Sequence, residues 1–256
     1  MSVQPDAWPL SVDGGPFGVL VSHGFTGSPA SMRPWGQALA DAGFTVRVPR
    51  LPGHGTTWQE LNQTRWEDWY AEVDRNLTEL RERCDKVGVA GLSMGAALVL
   101  RLAEQRPDDV DAIAVVNPSI ASTNRQLLAL PLLRHVIASA RALGNDIKKP
   151  GVAEGAYDRT PLQALHSLTL LWREVRRDLS DVVAPLLVLR SRVDHVVDPS
   201  SAALLMRGVS SSVRREVVLE DSYHVATLDN DAPRIVAESL EFFEGHLGSV
   251  READSA

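Results

Sequence analysis

The chain has 256 residues, enough to bury a sizeable core in one or two domains, and a single α/β domain of this size is ordinary. Its 26 basic and 33 acidic residues give a formal charge of −7, so there is no basic field for a nucleic-acid backbone, and 44% hydrophobic with 23% charged residues is typical of a globular protein. The one cysteine, Cys84, excludes an internal disulfide and a cysteine-rich zinc site.

The amino terminus shows no cationic segment followed by an apolar one. No run approaches the roughly 18 apolar residues that a membrane span needs. We therefore expect a cytosolic protein.

Short apolar, β-branched runs alternate with segments of helical period. They predict strands at residues 17–22, 44–48, 87–90, 112–116, 186–189 and 215–219. Helices are predicted at residues 28–42, 66–83, 94–105, 200–206 and 233–247, the first capped by Ser28, with Pro29 in its first turn, and ended by Gly43. Strands separated by helices predict right-handed crossovers, and hence an α/β fold with a mostly parallel, doubly wound sheet.

The alternation lapses at residues 120–181. Two apolar stripes there have helical spacing and predict two or three helices: Leu128, Leu132, Val136, Ala140 and Leu143, and then Leu165, Leu168, Trp172, Val175 and Leu179. We expect an inserted helical cap at residues 120–181 over the carboxyl edge of the sheet, with residues 1–119 and 182–256 forming the core.

The segment Gly91-Leu92-Ser93-Met94-Gly95 fits the G-x-S-x-G pattern, between a predicted strand and a predicted helix. A nucleophilic serine must stand clear of the sheet on such a turn, and the flanking glycines leave room for it. Ser93 is therefore the predicted nucleophile.

A serine needs a histidine to take its proton and a carboxylate to orient that histidine. Of seven histidines, His224 follows the last predicted strand, which places it above Ser93. The other six fit loop or helix positions better: His23, His54, His135, His166, His195 and His246.

Two aspartates follow the strand predicted at residues 186–189. Asp198 precedes Pro199 and a helical run, as a helix N-cap does, so Asp194 is favoured as the acid. The order Ser93, Asp194, His224 is that of α/β-hydrolases rather than of the two common protease folds.

An oxyanion forming on a carbonyl needs preorganised donors. The turn at Gly91–Gly95, called the elbow below, is predicted to supply the backbone N–H of Met94. The glycine-flanked loop His23-Gly-Phe-Thr-Gly27 is predicted to supply that of Phe25.

Motifs along nearly the whole chain make it resemble the small bacterial carboxylesterases and monoacylglycerol lipases of the α/β-hydrolase superfamily. They are His23-Gly-Phe-Thr-Gly27, Leu51-Pro-Gly-His-Gly55, Gly91-Leu-Ser-Met-Gly95, Asp146-Ile-Lys-Lys-Pro-Gly151, Ala156-Tyr-Asp-Arg-Thr-Pro161, Arg192-Val-Asp-His-Val-Val197 and Ser222-Tyr-His-Val-Ala-Thr-Leu228.

The resemblance implies the same triad and oxyanion donors, and it makes Glu154 a contact for a glycerol head group, the alternative being a solvated loop carboxylate. Gly155 departs from the larger residue expected after it. The implied reaction is hydrolysis of monoacylglycerols and short or medium acyl esters, with no cofactor or metal.

Other functions remain open: an acyltransferase or thioesterase on the same triad, or a ligand-binding protein that has lost turnover. The partner expected is a small acyl ester. Contact with a lipid surface would rest on apolar cap residues rather than on attraction to anionic headgroups.

Overall fold

The computed structural model describes residues 3–142 and 144–249. Its strands are β1 (Leu10–Val12), β2 (Phe17–Ser22), β3 (Thr45–Val48), β4 (Lys86–Leu92), β5 (Ala112–Val116), β6 (Ser139–Arg141), β7 (Arg159–Pro161), β8 (Leu186–Ser191) and β9 (Arg214–Leu219). Its α-helices are α1 (Arg33–Asp41), α2 (Trp58–Leu61), α3 (Trp66–Arg81), α4 (Met94–Gln105), α5 (Leu130–Leu133), α6 (Leu162–Asp178), α7 (Ser200–Gly208) and α8 (Ala232–Leu247).

Seven strands form one sheet in the order β1-β3-β2-β4-β5-β8-β9. All neighbours in this sheet are parallel except β1 and β3, which pair antiparallel at one edge. The predicted doubly wound, mostly parallel sheet is thereby confirmed. The short edge strand β1 is an addition that the sequence pattern did not predict.

The sheet is buried on both faces because alternate residues of each strand feed two separate cores. In β4, Val87 and Val89 pack among residues of α3, α4 and α6, whereas Ala90 and Leu92 pack among residues of α1 and α8. A parallel strand covered on both sides reads as a continuous apolar run, which explains why these strands were evident in the sequence.

The helix predicted at residues 28–42 is divided. Ser28 accepts a hydrogen bond from the Ala30 N–H at 3.3 Å and so caps a single 3₁₀ turn, Pro29–Ser31, and α1 begins afterwards at Arg33. Pro34 lies in the first turn of α1, where its missing N–H costs nothing. Gly43 follows the end of α1 with φ +100°, as predicted for a C-terminal glycine.

The helix predicted from the stripe at residues 128–143 is wrong. Pro131 lies in the first turn of α5, which ends at Leu133, and β6 then pairs antiparallel with β7, which fixes an extended backbone at Ala140. Leu128, Leu132 and Val136 are 82%, 79% and 79% exposed, so this apolar spacing marks a surface and not a packed helical face. Leu143 lies outside the described residues.

The second stripe lies on α6 and in the turn that follows it. Its residues pack in the core beside α3 and α4, buried except for the partly exposed Leu165, and α6 serves as the crossover between β5 and β8. No helix among residues 3–142 and 144–249 is long and apolar enough to cross a membrane.

Candidate active site

Ser93 sits on a strained turn between β4 and α4. Its backbone has φ +56° and ψ −115°, a region that a residue with a side chain rarely adopts. The Ser93 N–H donates to the Val116 carbonyl at 3.0 Å, which anchors the turn to β5. Strain held in place by surrounding structure is characteristic of functional positions.

The two glycines of the elbow are required by close backbone approach. A Cβ on Gly91 would lie 2.5 Å from the Gly95 carbonyl carbon, and one on Gly95 would lie 2.2 Å from the Ser22 carbonyl oxygen. A side chain on Gly91 would push α4 away from β4, and one on Gly95 would push it away from β2. The pattern that predicted the elbow therefore has a steric cause.

The structure brings Asp194 and His224 together at the carboxyl edge of the sheet. His224 Nδ1 lies 2.8 Å from Asp194 Oδ2, and Asp194 Oδ1 accepts the N–H groups of Val196 and Val197, each at 2.8 Å. Asp194 is thus fixed by its own loop. Asp198 does not approach His224 and instead accepts the Ser200 N–H at the start of α7.

The charge environment of His224 favours its protonated form. Burial lowers the pKa of His224, but the hydrogen bond and charge of Asp194, with smaller effects from Glu154 and Asp146, outweigh burial and raise this pKa above its usual value. A histidine held this way can accept a proton and retain it while a reaction proceeds.

His23 and His54 are buried as neutral imidazoles beside Phe25. His23 Nε2 accepts the Leu51 N–H at 3.2 Å, so Nδ1 carries the proton and donates to the Gly24 carbonyl at 3.0 Å. Burial lowers the pKa of His23 to about 4 and lowers that of His54 well below its usual value.

The loop that contains Phe25 lies against Ser93, since a Cβ on Gly24 would be 3.5 Å from Ser93 Cβ. In the part of the chain that the structure describes, neither the Phe25 nor the Met94 N–H donates to a protein acceptor. Two free donors beside Ser93 are what an oxyanion requires.

Glu154 is buried against the same loop. It is 8% exposed, and a Cβ on Gly27 would lie 2.6 Å from Glu154 Oε1. Burial raises the pKa of Glu154 to about 7, opposed by the charge of His224. Gly155 has φ +71° and open space around it, so its backbone conformation accounts for the glycine there.

Ser93, His224 and Glu154 line one cavity of about 460 Å³. Its remaining wall is mainly apolar and comes largely from the segment between β5 and β8, including Leu127, Leu130, Leu162, Leu165, Leu168 and Trp172. An apolar chamber with a few convergent polar groups is the usual form of a site for a small molecule.

The sequence reasoning assigned no role to Asp146 or Asn117. Asp146 Oδ2 accepts the His224 N–H at 3.1 Å, and Asn117 Nδ2 donates to the His224 carbonyl at 2.7 Å. Asn117 follows β5 directly and has φ +44°, and a strand end at this edge is the one signal that could have pointed to it.

The sheet order, the elbow and the Asp194–His224 pair define an α/β-hydrolase. Within that class the chain belongs to the serine aminopeptidase S33 family, whose model matches residues 18–231.

The relatives of this chain include lipolytic enzymes. It is 43% identical to a thermostable monoacylglycerol lipase of Bacillus sp. (strain H-257), across 96% of this chain and 98% of that protein. It is 27% identical to a carboxylesterase of Bacillus subtilis (strain 168), across 92% and 96%. A solved structure described with the metagenome-derived lipolytic enzymes LipS and LipT superposes with a TM-score of 0.93 at 42% identity, covering 96% of this chain and all of that one.

Proposed function

We propose that this protein hydrolyses carboxylic esters through an acyl-enzyme, with monoacylglycerols and short or medium acyl esters as substrates. The observation that carries the proposal is the single cavity shared by Ser93 and the Asp194-oriented His224. The 43% identity to a monoacylglycerol lipase over nearly the full length of both chains supports the substrate class.

In the proposed mechanism, His224 takes the proton of Ser93 as the serine oxygen attacks the ester carbonyl. Asp194 stabilises the imidazolium that forms. His224 then protonates the leaving alcohol, and water repeats the cycle on the acyl-enzyme to release the acid. The N–H groups of Phe25 and Met94 hold the oxyanion, each worth roughly 10² to 10³ in rate.

Glu154 is proposed to accept hydrogen bonds from the hydroxyl groups of the glycerol head, since its carboxylate is buried in the cavity against the loop that contains Phe25. The apolar wall would then receive the acyl chain. An acyl chain needs apolar contacts, whereas a polyol head needs hydrogen-bond partners. The cavity offers an apolar wall for the first and the Glu154 carboxylate for the second.

We further propose that residues 120–181 act as a cap over this cavity. Residues before α6 contribute Leu127, Leu130, Leu133 and Ile137 to its wall, and α6, which also lines the cavity, packs into the core beside α3 and α4. Movement of a lid would thus leave α6 in place. The exposed Leu128, Leu132 and Val136 lie in this part and offer an apolar surface to lipid.

Active-site labelling tests the mechanism. A fluorophosphonate is expected to label the wild type once, on the peptide containing Ser93, and not the Ser93→Ala variant. Ser93→Ala and His224→Ala should each reduce kcat on a nitrophenyl ester by about 10⁴-fold or more. Hydrolysis that survives Ser93→Ala unchanged would contradict the proposal.

The acyl acceptor and the bond cleaved separate the competing reactions. We expect monoacylglycerol and nitrophenyl esters to be hydrolysed with water as acceptor, and aminoacyl anilides to react far more slowly. An acyltransferase would instead transfer the acyl group to an added alcohol at the expense of hydrolysis. A thioesterase would prefer acyl thioesters to oxygen esters of the same chain length.

A further inference from the structure

Asp146 joins three segments of the site through one carboxylate. Its Oδ2 accepts the backbone N–H groups of His195 and His224, each at 3.1 Å, and its Oδ1 lies 2.8 Å from His195 Nδ1. The Asp146 carbonyl also accepts the Val225 N–H at 3.1 Å. The carboxylate thus links the insertion, the loop that bears Asp194, and the loop that bears His224.

A second carboxylate joins the same two segments. Asp229, which is 1% exposed, accepts the N–H groups of Lys148 and Lys149 at 2.7 and 2.8 Å, together with that of Tyr223 at 2.9 Å. The residues on either side of His224 are therefore bonded directly or through Asp229 to residues 146–149. These hydrogen bonds join the histidine loop to residues 146–149 of the insertion.

The neighbouring residue extends the link to Glu154. Asn145 has φ +58°, and its Oδ1 accepts the Glu154 N–H at 2.8 Å. Two consecutive residues, Asn145 and Asp146, consequently hold the backbones of Glu154 and His224.

We propose that Asp146 is a positioning residue, which fixes His224 through its backbone N–H and couples its placement to that of Glu154 in the insertion. Asp194 orients the imidazole ring of His224, whereas Asp146 holds the main chain that carries the ring. Both are needed because a misplacement of about 1 Å in a catalytic group can cost about 10²-fold in rate. This inference rests on the proposed role of His224 as the base.

Two substitutions separate the geometry of Asp146 from its charge. Asp146→Ala removes the acceptor, and we expect kcat on a nitrophenyl ester to fall about 10- to 100-fold with a much smaller change in KM. Asp146→Asn retains an oxygen that can accept both backbone N–H groups, and it should lose less than about 3-fold. The matched control is Asp221→Asn, an exposed carboxylate of the neighbouring loop that binds Lys148, which should leave kcat unchanged.

The pH profile provides a readout that a purely structural role would not move. The carboxylates facing His224 are Asp194, Glu154 and Asp146, and the His195 ring lies beside Asp146. Activity requires neutral His224, and removal of one facing negative charge lowers its pKa. The acid limb of kcat/KM should therefore move to lower pH in Asp146→Asn and stay in place in Asp221→Asn.

Proton NMR of the His224 Nδ1–H gives a direct measure of position. We expect this resonance to shift or broaden in Asp146→Ala and to persist in Asp146→Asn. The inference is overturned if folded Asp146→Ala keeps the wild-type kcat and resonance, even when its Tm falls. Failure of the Asp146 inference would leave the labelling of Ser93 unchanged. If the proposed triad were wrong, the Ser93→Ala variant would instead remain active.

Discussion

Glu154 is a carboxylate of the cavity whose charge changes near neutral pH. Burial against Gly27 raises its pKa to about 7, so both forms are populated under ordinary assay conditions. A deprotonated carboxylate accepts hydroxyl hydrogen bonds more strongly than a neutral acid does. Its ionisation should therefore affect substrates that carry a polyol head and leave simple esters largely unaffected.

We predict that Glu154→Gln lowers kcat/KM on monoacylglycerol by about 10-fold, as loss of a charge-assisted hydrogen bond implies, and lowers it much less on a nitrophenyl ester. Asp158→Asn, at an exposed carboxylate of the same insertion, is the control. In the wild type the ratio of the two kcat/KM values should rise between pH 6 and 8 as the carboxylate deprotonates, and in Glu154→Gln it should be flat. Equal losses on both substrates would remove the head-group role.

Residues fixed by local geometry could be predicted from the sequence, and those fixed by distant contacts could not. Gly91 and Gly95 predict the elbow because any side chain at these positions would clash with nearby backbone. The same clash arises wherever a strand is joined to a helix by a turn at a nucleophilic serine, so the glycines form a recognisable pattern. Asp146 meets His195 and His224 across 49 and 78 residues of chain, and no local pattern shows such contacts.

At the scale of elements, prediction succeeded where both faces are buried. The strands of the main sheet were found as apolar runs, except the short edge strand β1, whose residues are partly exposed. The stripe at residues 128–143 failed because apolar residues exposed on the surface produced helical spacing without a helix. Apolar spacing indicates a packed helix only where the apolar residues are buried, and burial depends on the whole fold rather than on the segment alone.

Helices α4 and α6 are joined by a cluster of charged side chains in which one buried arginine contacts two carboxylates. Arg101 on α4 donates to both Glu104 at 3.0 Å and Asp178 at 2.6 Å, so one guanidinium faces two carboxylates. Asp178 also pairs with Arg177, which favours its ionised form. Burial outweighs Arg101 and raises the pKa of Glu104 to about 8. Glu104 Oε1 has no hydrogen-bond partner among the described residues.

Glu104→Gln is predicted to flatten the dependence of stability on pH. Between the ordinary carboxyl value of 4.5 and about 8, folded Glu104 keeps a proton that the unfolded chain releases, so stability falls as pH rises through this window. Glutamine can still accept from Arg101 and does not titrate. We expect the variant to gain about 1 to 3 kcal/mol over the wild type between pH 6 and 9.

Thermal unfolding at several pH values tests this prediction, since about 1 kcal/mol corresponds to a Tm change of roughly 2 to 4 °C in a protein of this size. Glu82→Gln, at an exposed residue after α3, should run parallel to the wild type. Parallel curves for Glu104→Gln as well would mean that Glu104 is ionised in the folded protein throughout.

Charge is distributed unevenly over the molecule, and one segment is basic although the net charge is negative. The chain carries a formal charge of −7, yet residues 121–145 contain Arg125, Arg134 and Arg141 and no acidic residue. The exposed Leu128, Leu132 and Val136 lie among them. The proposed lipid-facing surface is thus apolar and locally basic, and the net charge that argued against attraction to anionic headgroups does not describe it.

This surface predicts binding to lipid vesicles that depends on both apolar contact and charge. Wild-type protein should sediment with vesicles containing anionic lipid at least about 10-fold better than with zwitterionic ones, because each basic side chain near an anionic surface contributes about 1 kcal/mol, and added salt should reduce the difference. Leu132→Ser combined with Val136→Ser should weaken binding to both vesicle types by about 10-fold or more, since two exposed apolar side chains would no longer insert. Val213→Ser changes an exposed apolar residue just before β9, outside the insertion, and should bind as the wild type does. Equal vesicle binding by all three proteins would mean that the insertion is not the lipid-facing surface. As a control for folding, both variants should hydrolyse soluble nitrophenyl esters as the wild type does.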